Sequence, residues 1–363
     1  MYQKLLNLSL ALTLVVITLG ALTRLLDAGL GCPDWPGCYG QLTPPANWQA
    51  LSNEAAEKYA DSPLISHQAW MEMIHRYAAG ALGLFIAFIT FLAFKTKQAQ
   101  RIKITSVVLS CVVIAQAVFG MWTVTLKLWP PIVTIHLLGG FATLSLLILL
   151  KVWSSKHSIE SLTTAPSKNS EIVPDNITPI KALIPIAFLV LFIQITLGAW
   201  TSSNYAGLAC PDFPTCQNQW LPDISVQDAL TVPEYQGLSF LHGLADAKTR
   251  VSIQYLHRLG ALITLLVLGS LIVKLWQSGI RHFKYLACYL GFTLSSQILL
   301  GILAAVLLLP LPIALLHNTG AALTLSGLIY LIALVSFPVK TNAFSSSSLP
   351  LKEATHGRIL PNR

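Results

Sequence analysis

Long apolar runs, broken by short polar segments, dominate the chain. A helix needs about 20 mostly apolar residues to cross the hydrocarbon of a bilayer. Eight such runs can be drawn: Leu5 to Leu22, Ala69 to Phe94, Ile104 to Leu126, Ile132 to Val152, Ala182 to Trp200, Ile253 to Leu275, Tyr285 to Leu308 and Ile313 to Phe337. The pattern predicts an all-α integral membrane protein with eight transmembrane helices. Composition agrees, with 54% hydrophobic and only 10% charged residues, a balance foreign to soluble domains.

The runs fall into two copies. Ile17 to Cys38 reads ITLGALTRLLDAGLGCPDWPGC and Ile195 to Cys216 reads ITLGAWTSSNYAGLACPDFPTC, with 14 of 22 positions identical at an offset of 178. His75 recurs as His257 at an offset of 182, while Gln116, Gly120 and His136 recur as Gln297, Gly301 and His317 at 181. So small a drift places insertions in loops and keeps the helices in register. Four spans per copy give both copies the same orientation, so the expected architecture is two four-helix bundles related by a pseudo-twofold axis along the membrane normal. Residues 1–153 form the first bundle, 154–180 a polar cytoplasmic linker, 181–338 the second bundle, and 339–363 a disordered cytoplasmic tail.

The net charge of +8 is placed for a membrane and not for nucleic acid. Lys4, Lys95, Lys97, Arg101, Lys103, Lys151, Lys156, Lys168, Lys274, Arg281, Lys284, Lys340, Lys352, Arg358 and Arg363 all fall on one side of an eight-span threading. Positive charge collects on the cytoplasmic side, so both termini are expected there. The two long loops, Leu25 to His67 and Thr201 to Arg250, then face outward. The first span has no small-residue cleavage site and reads as a retained helix. No room is left for a mitochondrial transit segment, which favours a bacterial plasma membrane.

Four of the six cysteines lie in those outward loops as two C-x5-C pairs, Cys32 with Cys38 and Cys210 with Cys216. An oxidising compartment permits a disulfide in each. Such a bridge either pins its loop over the helices or takes part in redox chemistry. Zinc is disfavoured because each loop offers two thiolates and not four ligands. Cys111 and Cys288 fall inside spans and read as small packing residues.

Ionisable residues inside membrane spans are costly and mark function. His75 and His257 sit about a turn and a half into the second helix of each copy, and His136 and His317 follow the proline-marked starts of the fourth, PPIVTIH and PLPIALLH. Second and fourth helices run the same way, so all four imidazoles are expected at similar depth near the outer face. Two imidazoles facing each other across a bundle can clamp a haem iron. A bare zinc or copper ion would want further ligands nearby. Small residues beside the histidines, among them Ala78 to Gly80, Gly139, Gly140, Gly260 and Gly320, leave room for a flat macrocycle. Arg76 and Arg258, each following its histidine, are candidate propionate donors or interfacial anchors.

The copies differ where EMIHR, with Glu72, is answered by QYLHR, with Gln254. Glu72 lies three residues before His75, on the same helix face. It is placed either to take a proton or stabilise positive charge at a reacting group, or to pair with Arg76 at i+4. Gln254 keeps the shape without the charge, which assigns chemistry to the first copy. Gln116, Gln194 and Gln297, each in Q-x3-G, read as helix-packing residues, with a haem contact open. His67 and His242 fall in outward loops, and His157, His282 and His356 in cytoplasmic, solvated segments.

With these motifs assembled, the sequence resembles the haem A synthase (CtaA/Cox15) family. GALTRLLDAGLGCPDWP, EMIHR, TIHLLGG, QYLHRLGA and LLHNTGAA carry the resemblance across nearly the whole chain. It implies oxidation of a methyl group of haem O to a formyl group, making haem A for terminal oxidases. It further implies that His75 and His136 flank the substrate haem, that His257 and His317 ligate a haem b cofactor, and that Glu72 is the essential acid. Cys32 and Cys38 match the family's first-loop pair. The partners implied are haem O, a haem O synthase, oxidase assembly factors, an electron-transfer partner left unnamed, and membrane lipid. The alternative is a dihaem b-type membrane cytochrome exchanging electrons with quinone, which gives no reason for Glu72 to differ from Gln254. A transporter built from repeats would instead show helices broken at mid-membrane.

Overall fold

A computed structural model describes residues 1–155 and 178–336; the expected tail and all but the ends of the expected linker lie outside them. Eight helices among the described residues are long and apolar enough to span a membrane: α1 (Tyr2–Leu25), α3 (Ser66–Lys95), α4 (Gln100–Thr125), α5 (Pro130–Trp153), α6 (Thr178–Ser203), α8 (Ala247–Gln277), α9 (Arg281–Val306) and α10 (Leu311–Val335). Two short helices, α2 (Asn53–Lys58) and α7 (Val226–Leu230), lie in the long loops. The protein is a multi-pass all-α membrane protein.

The helix ends depart from the expected spans for identifiable reasons. α8 begins six residues before Ile253 because Asp246 caps it, its carboxylate accepting from the Thr249 N–H at 2.7 Å, which satisfies a donor the first turn leaves open. Helical structure thus outruns the apolar stretch, as it also does at Ser66, which puts His67 in the first turn of α3 and not in a loop. α4 and α9 stop at Thr125 and Val306 because left-handed residues follow, Lys127 and Leu128 after one and Leu308 and Leu309 after the other. The last span ends at Val335, and Phe337 lies outside the described residues.

α1 packs against α3 and α5, and α4 closes the set by packing against the same two helices. In the second copy α8 packs against α6 and α9, and α10 against α9 and α6. Between copies, α1 meets α10, α5 meets α6, and α5 meets α10. The largest apolar cluster lies along that seam, where Phe141, Leu144 and Ile148 of α5 join Ile184 and Leu191 of α6 and Leu325 and Leu328 of α10. In lipid this packing works through close van der Waals fit, since the tails outside are equally apolar.

Polar contacts stitch the outer end of the seam. The Arg24 guanidinium donates to the Ser202 carbonyl at 2.5 Å and stacks 3.7 Å above the Tyr205 ring, while the Tyr205 hydroxyl donates to Asp27 at 3.0 Å. Arg24 and Ser202 are 178 residues apart, as are Asp27 and Tyr205. That is the offset of the repeat itself, so matching positions of the two copies meet each other. The second long loop also crosses to the first copy: the Phe240 N–H donates to the Lys127 carbonyl at 2.9 Å and the Trp129 indole to the Pro233 carbonyl at 2.7 Å.

Candidate functional site

The four histidines come together as two pairs. His75 of α3 and His136 of α5 have ring centres 6.4 Å apart with planes at 86°, and His257 of α8 and His317 of α10 have centres 6.5 Å apart at 89°. A metal–imidazole bond of about 2 Å plus roughly 1.1 Å from nitrogen to ring centre, taken twice, requires about 6.2 Å. Both pairs therefore have the spacing of two imidazoles on opposite sides of one iron. Among the described residues no group of three or more His, Cys, Asp or Glu is placed to hold a bare metal ion. The donor set fits haem, which brings its own four nitrogens and asks the protein for two.

Each ring rests against a glycine of the neighbouring helix: His75 on Gly20, His136 on Gly120, His257 on Gly198 and His317 on Gly301. A Cβ built on those glycines would stand 2.9, 3.4, 3.1 and 3.0 Å from the respective ring Cε1 atoms. The glycines are thus part of the ring seats. The sequence displayed them in repeated positions but did not reveal what they touch.

Glu72 is 4% exposed. One carboxylate oxygen accepts from the main-chain N–H of Cys32 at 2.9 Å, and the other pairs with Arg76. Arg76 also donates to the carbonyls of Asp34, Pro36 and Gly37, the last at 2.6 Å. Arg258 does the corresponding work in the second copy, donating to the carbonyls of Thr215 at 2.7 Å and Cys210 at 2.5 Å. Both arginines tie a histidine-bearing helix to its cysteine loop. Gln254 is buried like Glu72, but its side-chain oxygen has no partner.

The cysteines are bonded as Cys32–Cys38 and Cys210–Cys216. Inside each loop an aspartate gathers the turn: Asp34 accepts from the N–H groups of Tyr39 and Gly40, and Asp212 from those of Gln217 and Asn218. The Thr215 hydroxyl also donates to Asp212 and, with those amides, holds its carboxyl down at about 2. Burial pushes the Tyr205 phenol up.

Several minor expectations change. His282 is not simply solvated, for it shares a 3.0 Å hydrogen bond with the Tyr330 hydroxyl. Cys111 and Cys288 lie in α4 and α9 as expected but on exposed faces, so they face the lipid and do not pack between helices. His242 lies 3.8 Å from Asp27, at the seam between copies, and His157 and His356 are outside the described residues. The main-chain partner of Glu72 was missed altogether, because a backbone amide leaves no mark in a sequence.

Fold and paired histidines define a class, a multi-pass membrane protein with two pairs of facing histidines. Residues 3–329 match the model of the COX15-CtaA family, described as cytochrome oxidase assembly protein, and the chain belongs to that family. A heme A synthase of Shewanella oneidensis is 44% identical over 328 residues, covering 90% of this chain and 94% of that protein. A heme A synthase of Orientia tsutsugamushi is 25% identical over 352 residues, covering 90% and 93%. One of Anaplasma marginale is 26% identical over 337 residues, covering 89% and 90%.

Proposed function

We propose that the chain is a haem A synthase, oxidising a methyl substituent of haem O to a formyl group. In this reading His75 and His136 hold the substrate haem in the first copy, and His257 and His317 hold a haem b cofactor in the second. The observation that carries it is the difference between two otherwise matched sites: a buried, hydrogen-bonded carboxylate one turn from His75, and a neutral amide one turn from His257.

A bound haem b would supply one-electron transfer between substrate and an outside partner. In balance, each of two steps takes the oxygen of one water into the methyl group and releases two protons and two electrons, the electrons leaving to the outside partner. The resulting geminal diol returns one water to give the aldehyde. Glu72 is placed to accept protons released at that carbon, or to offset positive charge there. The Cys32 N–H and Arg76 fix its direction, so the carboxylate is preorganised and does not have to be gathered at the moment of reaction. Gln254 cannot take a proton, which leaves the second copy an electron carrier. Arg76 and Arg258 retain donors beyond their loop bonds with which to meet haem propionates.

We further infer that the copies are two four-helix bundles related by a pseudo-twofold axis. The helix pairings, and the meeting of Arg24 with Ser202 and Asp27 with Tyr205, support it. Basic residues at the helix ends opposite the cysteine loops support cytoplasmic termini and outward loops in a bacterial plasma membrane. A haem O synthase and oxidase assembly factors are the partners this chemistry requires on either side.

Pigment extraction after expression in cells making haem O separates the readings. A haem bearing both formyl group and farnesyl tail supports the synthase. Haem b alone indicates the electron-transfer cytochrome. No tightly bound haem indicates a transporter, a reading the unbroken spanning helices already disfavour.

A further inference from the structure

The Q-x3-G motifs and the histidines interlock in one repeated unit. On one helix a glutamine stands four residues before the glycine that seats the histidine ring. On the partner helix a second glycine stands three residues after the histidine, and the glutamine side chain lies against it. Gln116 with Gly120 serves His136 with Gly139; Gln194 with Gly198 serves His257 with Gly260; Gln297 with Gly301 serves His317 with Gly320. A Cβ at Gly139, Gly260 or Gly320 would overlap the amide facing it. The contact is fullest at His257, where the Gln194 amide nitrogen lies 3.1 Å from ring Nδ1 and 3.1 Å from the histidine's own carbonyl oxygen. One amide thereby holds a ring and the backbone that carries it.

The fourth helix pair departs from the unit at both positions together. Val16 replaces the glutamine ahead of Gly20, and Ala78 replaces the glycine after His75. The changes compensate in volume, since the methyl of an alanine fills space that an amide occupies elsewhere. Nδ1 of His75 is buried with no hydrogen-bond partner, as are those of His136 and His317; of the four rings only that of His257 meets a glutamine amide. The departure at His75 lies on the helix that also carries Glu72.

We propose that Gln194 is a positioning residue that fixes the rotation of the His257 ring by hydrogen bonding, that Gln116 and Gln297 confine the rings of His136 and His317 by packing against Gly139 and Gly320, and that His75, which has no such glutamine, is left freer to turn as substrate is exchanged. The proposal rests on the haem reading above. Second-sphere partners of a ligating histidine set its ring orientation and its strength as a ligand, so bracing suits a resident cofactor. An unbraced ring suits a ligand that must let one haem leave and another enter.

The test borrows the protein's own exception. In full-length protein from which the first pair has been removed by His75→Ala and His136→Ala, the double change Gln194→Val with Gly260→Ala copies the Val16 and Ala78 arrangement into the second copy. Haem content is expected to hold. The low-spin electron paramagnetic resonance signal is expected to broaden as the His257 ring samples more orientations, with a shift in midpoint potential. The reverse change, Val16→Gln with Ala78→Gly in otherwise native protein, is expected to narrow the first-copy signal and slow haem exchange. A haem-loaded Gln194→Val, Gly260→Ala protein with unchanged signal and potential overturns the proposal. Should that protein hold no haem, the reverse variant decides, and an exchange rate equal to that of the native protein overturns it. Native protein without haem, from cells rich in haem, would instead sink the haem reading beneath it.

Discussion

The Glu72 carboxylate accepts a hydrogen bond from the main-chain N–H of Cys32 at 2.9 Å, so the acid of the first copy is held by the loop that the Cys32–Cys38 bridge closes. Helix α3 supplies Glu72 and Arg76 one turn apart, and the loop supplies a donor to the first and acceptors to the second. Loop and helix therefore set the position of the acid together.

Opening the first bridge should cost more function than opening the second. Closing so short a loop restricts the unfolded chain by about 2 kcal/mol, and both pairs share that contribution. Only Cys32 also touches a carboxylate. Cys32→Ser with Cys38→Ser is expected to lower formyl-haem yield severalfold, and Cys210→Ser with Cys216→Ser to lower it less, as read by haem extraction at matched protein levels. Equal losses would contradict the coupling.

Arg76→Ala removes the partner of a buried carboxylate and the donor to three loop carbonyls. Stranding a buried charge typically costs about 3–5 kcal/mol, and thermal unfolding in detergent should drop accordingly. Arg76→Lys returns the charge without the planar fork and should recover only part of the loss.

Gly20→Ala would bring a methyl within 2.9 Å of the His75 ring. Crowding a packed seat forces the ring or the helix to shift. The variant is expected to keep the second-copy haem and lose most of the first, about half the total, by haem-to-protein ratio. Full retention of both haems would remove the glycine seat from the account.

The second cysteine loop should respond to acid in a defined window. Hydrogen bonds from Thr215, Gln217 and Asn218 hold the Asp212 carboxyl at about 2, below its ordinary 3.8. A depressed carboxyl stabilises the folded loop above the ordinary value and loses that contribution as pH falls through the folded one. Hydrogen exchange at the Gln217 and Asn218 amides should therefore quicken between about pH 4 and pH 2. In Asp212→Asn, exchange should show no step in that window.

Much of the site could be read directly from the residues, because duplication turned single ambiguous positions into matched ones. His75 gained meaning from His257, and Glu72 from Gln254. The eight spans were visible as apolar runs, but their ends were set by polar details such as the Asp246 cap and the left-handed Lys127 and Leu128. What stayed hidden were contacts whose partners leave no pattern: the Cys32 amide on Glu72, the loop carbonyls on Arg76 and Arg258, and the Tyr330 hydroxyl on His282. The glutamines were seen as packing residues. Only the fold showed them arranged around the histidines.

The central claim is that the oxidation requires the carboxylate of Glu72, which accepts protons or offsets positive charge at the reacting carbon on the matched histidine frame. The most direct measurement is haem analysis of Glu72→Gln expressed in cells making haem O, beside the native chain. The account predicts native-like haem content with haem O accumulating and formyl product absent or nearly so. Haem A formed at the native rate would contradict it.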